Sequence, residues 1–344
     1  MSDEALAPAP RANPDLVGHE SAEAALRQLH DSGRLPHALL LSGPRGIGKA
    51  TLAFRLARFV LSRGEASDMF GAPPSGQGLA VPPDGAVFRR VAGGGHADLL
   101  TVERGFDTRR RRLRSEIVVD DVRAIGGFLH LTPAEGGWRV VVVDGADAMN
   151  RSAATALLKI LEEPPARTLL LLVAQSVGRL LPTIRSRCRQ LALSPLAAAT
   201  VGALLGRYAP QIAAAEAAAI VDLAEGSIGR ALELAGTGGV ELHKTMVSLL
   251  SRREGIDAAA LHAFADRLAR ADADDDYRTL EELLRQYLGR RAIVGARRGE
   301  RGDAASWATL RDEVAEAFAR ADGLNLDRKQ TIHGAFFAID RAAG

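Results

Sequence analysis

The sequence predicts an α/β fold built on a parallel sheet between helices, followed by an all-helical C-terminal part. Three observations carry this. Val140-Val141-Val142-Val143 and residues 169–174 are short runs apolar at every position, and a strand apolar throughout has to be covered on both faces. The apolar run 38–41 leads into Gly43-Pro44-Arg45-Gly46-Ile47-Gly48-Lys49 and then a stretch, 52–61, of helical period, which is strand, glycine-rich turn, helix. Beyond Ser194-Pro195-Leu196 the pattern is helical almost to the end.

A chain of 344 residues exceeds one ordinary core, so two or three domains are expected. Apolar residues at 47% are enough for globular packing, while aromatics at 4% and abundant alanine favour helices packed through small side chains. The 44 basic residues nearly cancel the 42 acidic ones, so nucleic-acid contact would need a local patch. A single cysteine, Cys188, excludes an internal disulfide and a multi-cysteine zinc site. No apolar run approaches the ~20 residues that span a bilayer, and the acidic, then Ala/Pro-rich start does not read as a secretion signal. A cytoplasmic location is expected.

Along the chain, residues 1–14 read as a flexible leader and 20–29 as a helix. Residues 64–95 are crowded with Gly, Pro and Ser and read as a long surface insertion. Residues 99–103 are a candidate strand. Arg109 to Arg112, with Arg114, form a basic turn, more often a solvated face than a DNA-tracking one. Residues 117–129 and 153–161 read as helices, the second stopped by Glu162-Glu163-Pro164-Pro165, and 190–193 as a last strand. Helices are then expected over 197–208, 213–224 and 228–235, with a joint at Gly236-Thr237-Gly238-Gly239 and further helices to the end.

Gly43 to Lys49 matches G-x-x-x-x-G-K. In such a loop the glycines let N–H groups turn toward phosphate oxygens, the helix N-terminus adds partial positive charge, and the lysine reaches the β/γ-phosphates. The alternative is a glycine turn with a solvated lysine. Position 50, where a hydroxyl would hold Mg²⁺, is Ala50, and Thr51 comes one residue late. Asp144, after four valines, suits the acidic partner of the loop. The next position, where a glutamate would polarise water, is Gly145, and an aspartate returns only at Asp147. Nucleotide binding with little hydrolysis is expected, because losing transition-state groups costs orders of magnitude in rate. Ser186-Arg187-Cys188 has no carboxylate beside it in sequence. Arg187 either closes a surface loop through a salt bridge or offers its planar, permanently charged fork to a phosphate held by another subunit.

Pro36-His37-Ala38-Leu39-Leu40-Leu41-Ser42-Gly43-Pro44, Leu157-Leu158-Lys159-Ile160-Leu161-Glu162-Glu163-Pro164-Pro165 and Ser186-Arg187-Cys188 resemble, in that order, the delta-prime subunits of the bacterial DNA polymerase III clamp loader, which are AAA+ proteins. The likeness runs from about Leu16 to Ala235. It implies an α/β P-loop AAA+ domain over 15–193, a small helical lid over 194–237 and a helical oligomerisation (collar) domain over 238–344. It implies that Arg187 acts in trans on the ATP of a gamma or tau subunit, with the delta subunit, the sliding clamp and primed DNA as further partners. Gly43, Gly46, Gly48, Lys49 and Thr51 would form the nucleotide loop and Asp144 its acidic partner. Gln175 falls near the sensor-1 position, Arg230 at sensor 2, and Val17-Gly18 at the segment that touches adenine. ATP or ADP is the implied ligand, with the need for Mg²⁺ open. Many members carry a four-cysteine zinc module where residues 64–95 stand here without cysteine, so no zinc is expected. The resemblance implies a part of the polymerase holoenzyme, and Ala50 and Gly145 imply that it hydrolyses little itself. Its rivals are a self-sufficient gamma/tau-type ATPase, a small-molecule P-loop NTPase and, weakest, a dinucleotide site, since no third glycine stands at Thr51.

Overall fold

The structure, a computed structural model, describes residues 7–65, 78–107, 112–135, 137–251 and 255–343. Its sheet consists of β1 (Ala38–Ser42), β2 (Leu99–Val102), β5 (Arg139–Asp144), β6 (Thr168–Ala174) and β7 (Arg189–Ala192), all parallel, in the order β2-β5-β6-β1-β7. Phe106–Asp107 (β3) and Arg112–Leu113 (β4) make a separate antiparallel pair. Arg109 to Arg111 of the basic run lie outside the described residues.

The all-apolar strands are two-faced because alternate residues enter different cores. Leu39, Leu41, Val140, Val142, Leu169 and Leu171 face Leu52, Leu56, Phe59 and Val60 of α2 (Lys49–Glu65), in a core that also takes Leu26 of α1 (Glu20–Asp31). Leu40, Val141, Val143, Leu170 and Leu172 join the opposite core. That core holds Val122 and Ile125 of α4 (Val119–His130) with Leu157 and Leu161 of α5 (Arg151–Glu162). Asn150 caps α5 by accepting from the Ala153 amide at 2.9 Å, and the Pro164-Pro165 pair prevents its continuation.

Two stretches differ from the expectation. Within the supposed insertion 64–95, residues 66–77 lie outside the described residues, but the later part is structured. Pro82 to Gly85 form the turn that starts α3 (Ala86–Ala92), whose Val87, Phe88 and Val91 are buried, as is Leu79. Three apolar residues on one helical face were masked in sequence by the surrounding proline and glycine. Of the leader 1–14, the stretch 11–14 is tied down, with Arg55 Nη1 donating to the Pro14 carbonyl at 2.6 Å. The Arg58 guanidinium, buried in α2, donates to the carbonyls of Arg11 and Asn13 (2.9 and 2.8 Å) and lies over the Phe88 ring.

The remaining helices are α6 (Pro182–Arg185), α7 (Ala198–Tyr208), α8 (Ala214–Ala224), α9 (Ile228–Gly236), α10 (Gly239–Leu250), α11 (Ala258–Leu268), α12 (Asp274–Arg297), α13 (Arg301–Leu324) and α14 (Arg328–Ala343). The chain divides into two compact units, residues 1–210 with 224–230, and 211–223 with 231–344. The stretch expected as one lid, 194–237, is shared between them. In the second unit Gln286 Nε2 and Arg290 Nη2 donate to the carbonyls of Leu223 and Asp222 (3.0 and 3.2 Å), which binds α8 to α12. Tyr277 and Phe318 bring α12 and α13 together at 5.0 Å between ring centroids, and Phe264 and Phe336 do so for α11 and α14 at 6.0 Å. Among the described residues no helix is long and apolar enough to cross a membrane.

Candidate functional site

Strand register decides which predicted residues meet. Ser42 pairs with Ala174, and Asp144 with Val173. The chain therefore leaves β1, β6 and β5 side by side at one edge of the sheet, which brings Gly43, Gln175 and Asp144 together. This C-terminal edge, where neighbouring connections diverge, is where open α/β sheets bind ligands.

Gly43, Gly46 and Gly48 have φ of +145°, +73° and +104°, backbone open mainly to glycine. Lys49 starts α2 and is buried, its Nζ donating to the Pro44 carbonyl at 2.5 Å. Burial lowers the Lys49 pKa, while the carboxylates of Asp144 and Asp147 act the other way. Asp144 shows the mirror pattern. Burial and then Glu103 push its carboxyl up, against the pull of Lys49 and Arg104. An ammonium and a carboxylate thus share a half-dry site, as a phosphate-binding lysine and its acidic partner require. Loop and lysine fit a nucleotide's phosphates. Mg²⁺ fits less well, because Ala50 offers no oxygen, and Thr51 lies one residue further round the first turn of α2.

Gly145 has φ +83°, and its amide donates to the Val173 carbonyl at 3.1 Å. An added Cβ would meet nothing closer than 4.0 Å, so backbone conformation, not space, opposes a side chain there. Asp147 does not stand in for the missing glutamate. Its carboxylate accepts from the amides of Gln175 (3.2 Å) and Ser176 (2.9 Å), pinning the end of β6.

The turn before α9 closes on the loop from another side. The Gly229 amide donates to the Gly46 carbonyl at 2.9 Å, and the Arg230 amide donates to Ser227 Oγ at 3.1 Å. A Cβ on Gly229 would lie 2.8 Å from Gly46 Cα, so the two backbones touch. Arg230 is therefore held next to the loop. Val17 is exposed, and Gly18, at φ +84°, is pressed against Leu196. Sequence reasoning missed the residue after them. His19, 4% exposed, donates through Nε2 to the Ile47 carbonyl at 2.6 Å and so ties the N-terminal segment to the phosphate loop. Only its place beside Val17-Gly18 hinted at this.

Arg187 is not in this group. It precedes β7, whose first residue, Arg189, pairs with Leu39 near the start of β1. It therefore sits at the opposite edge of the sheet, separated from the loop by the length of β1, roughly 13 Å at about 3.3 Å per residue. Arg187 is exposed. Its Nη1 donates to the Thr183 carbonyl at 3.1 Å, and its Nη2 pairs with Glu162 Oε1 at 2.8 Å. The acidic partner that sequence proximity did not offer comes from the end of α5.

Cys188, next to it, is buried, and burial pushes its thiol up to about 11. At neutral pH its thiolate fraction is then roughly 100-fold below that of a free cysteine. Reaction with a thiol reagent at pH 8 is expected to be at least about 100-fold slower in the native chain than in the chain unfolded by denaturant. Between 9.0 and about 11 the folded chain keeps a proton that the unfolded chain has lost. The stability this contributes is full below 9.0 and falls as pH rises through that window.

Comparison with known proteins adds to this geometry. The sequence profile of the family described as "DNA polymerase III, delta subunit" matches residues 18–197. The DNA polymerase III subunit delta′ of Pseudomonas aeruginosa is 37% identical over 216 residues, 63% of this chain and 61% of that protein. The subunit gamma/tau of Mycobacterium tuberculosis is 29% identical over 278 residues, 78% of this chain and 45% of that one. The chain thus spans less than two thirds of the length of these relatives. A solved structure of a DNA polymerase III gamma subunit-related protein from Thermotoga maritima superposes with a TM-score of 0.48 at 18% identity, covering 93% of this chain and 99% of that one. The matched profile takes in the glycine loop, Asp144 and Arg187, more than half of the sequence, and the chain belongs to the DNA polymerase III delta-subunit family, with delta-prime subunits among its relatives.

Proposed function

We propose that this chain works as the delta-prime subunit of a clamp loader, a largely non-hydrolysing member of a ring of related subunits. Arg187 reaches the ATP held by a neighbouring gamma or tau subunit. Together with the delta subunit, the assembly places a sliding clamp on primed DNA. The observation that carries this reading is the placement of Arg187 at the sheet edge opposite the chain's own glycine loop. A guanidinium there cannot serve its own nucleotide, but it can serve one bound at the facing edge of an adjacent subunit. Arginine suits the task because its fork binds phosphate bidentately and stabilises charge in the transition state.

The chain's own loop, with Lys49, Thr51, Asp144, Gln175 and Arg230 about it, holds ATP or ADP without turning it over. Ala50 and Gly145 remove the oxygen that would anchor Mg²⁺ and the base that would activate water. The purified chain is expected to hydrolyse ATP at least about 10²-fold more slowly than a gamma/tau-type subunit, the scale on which single catalytic groups act. It is also expected to co-elute with such a subunit on gel filtration. Brisk turnover by the isolated chain, or separate elution, would contradict the proposal.

A further inference from the structure

We infer that Glu162 is a positioning residue for Arg187, holding the guanidinium in a stowed arrangement that a neighbour's phosphate has to displace. The inference rests on the trans reading above and deepens it. Glu162 is the last residue of α5, and its Oε1 lies 2.8 Å from Arg187 Nη2. The other terminal nitrogen donates to the Thr183 carbonyl at 3.1 Å. Both Nη atoms, the pair that would grip a phosphate bidentately, are thus engaged within the chain.

Helix stability does not account for this carboxylate. Negative charge in the last turn faces the negative end of the helix macrodipole, a mildly unfavourable position. What the carboxylate does is neutralise Arg187 and present like charge to an incoming triphosphate. Because both partners are exposed (36% and 49%), the pair is weak and reversible. It therefore sets a threshold rather than a block. The guanidinium is competent for only a fraction of the time, and the apparent affinity at the served site falls by that fraction.

The test uses the full chain assembled with purified gamma/tau-type subunits, with ATP as the probe. Glu162→Gln keeps the shape and removes the charge. It is expected to lower the apparent KM for ATP by about two- to five-fold, the range open to an exposed ion pair, with the thermal melt of the isolated chain unchanged. Glu163→Gln, next to it but exposed and outside the pair, is expected to leave KM where it was. In an Arg187→Ala background, Glu162→Gln is expected to do nothing. An unchanged or higher KM in Glu162→Gln, with Arg187→Ala still impaired, would overturn the stowing role and leave the trans reading standing. An unimpaired Arg187→Ala complex would remove the trans reading itself, and the stowing role with it.

Discussion

If Arg187 acts in trans as proposed, replacing it with alanine is expected to cut turnover at a partner's ATP site by about 10³-fold or more, while folding and assembly persist. The magnitude is what an arginine acting on a transferring phosphoryl group contributes. The alternative for Arg187 is a salt bridge that only closes a surface loop, and that bridge exists, to Glu162. Magnitudes separate the two roles. With side chains 36% and 49% exposed, the pair is worth at most about 1 kcal/mol. A purely structural Arg187 would therefore shift the denaturation midpoint slightly and leave the rate nearly intact. An arginine acting in trans gives the reverse, a near-native melt and a collapsed DNA-stimulated ATPase in the reconstituted complex. Arg187→Lys sharpens the comparison. It keeps the charge and the chance of pairing with Glu162, but it loses the planar fork, so it is expected to stay close to alanine in rate. A lysine variant with full activity would mean that charge alone suffices there.

Val140 to Val143 explain why the fold was readable. A short, β-branched run apolar at every position reads as a strand covered on both faces, and the alternation of Val140 and Val142 with Val141 and Val143 between the two cores is that inference realised. The loop at Gly43 to Lys49 was readable for a different reason, because its backbone needs glycine at positive φ. Glu162 and Arg187 show where reading stops. Their meeting depends on where α5 ends relative to the start of β7, and nothing local to either residue encodes it. His19 was hidden for the same reason, since its partner is a backbone carbonyl at Ile47. Helix α3 escaped because its apolar face is short and is set among turn-forming residues. For Glu162, Arg187 and His19 the missing information was a contact between segments distant in sequence.

The largest expected loss of stability comes from Asp98→Ala, at a residue with no apparent signal in sequence. Asp98 is 1% exposed and stands just before β2. One carboxylate oxygen accepts from the Ala134 amide at 2.8 Å, and the other from the Glu135 amide at 3.1 Å. Arg139, itself 5% exposed at the start of β5, places Nη2 3.8 Å away. The guanidinium also donates to the carbonyls of Phe128 and Thr132 and lies over the Phe128 ring. Alanine at 98 therefore leaves two amides without their acceptor and a buried guanidinium without its anion. Removing one partner of a buried pair costs about 3–5 kcal/mol, because the remaining charge cannot be rehydrated. Urea denaturation is expected to show a lowered midpoint with an unchanged slope, the signature of lost stability rather than altered compactness. A second substitution decides whether charge is the cause. Asp98→Ala combined with Arg139→Met removes both ions and keeps much of the volume, so it is expected to recover part of the loss. A double variant as unstable as the sum of the two singles would assign the cost to the unsatisfied amides instead. The consequence extends to the candidate site. β5 begins at Arg139 and ends at Asp144, so loosening this end of the strand loosens the carboxylate that faces Lys49 at the other.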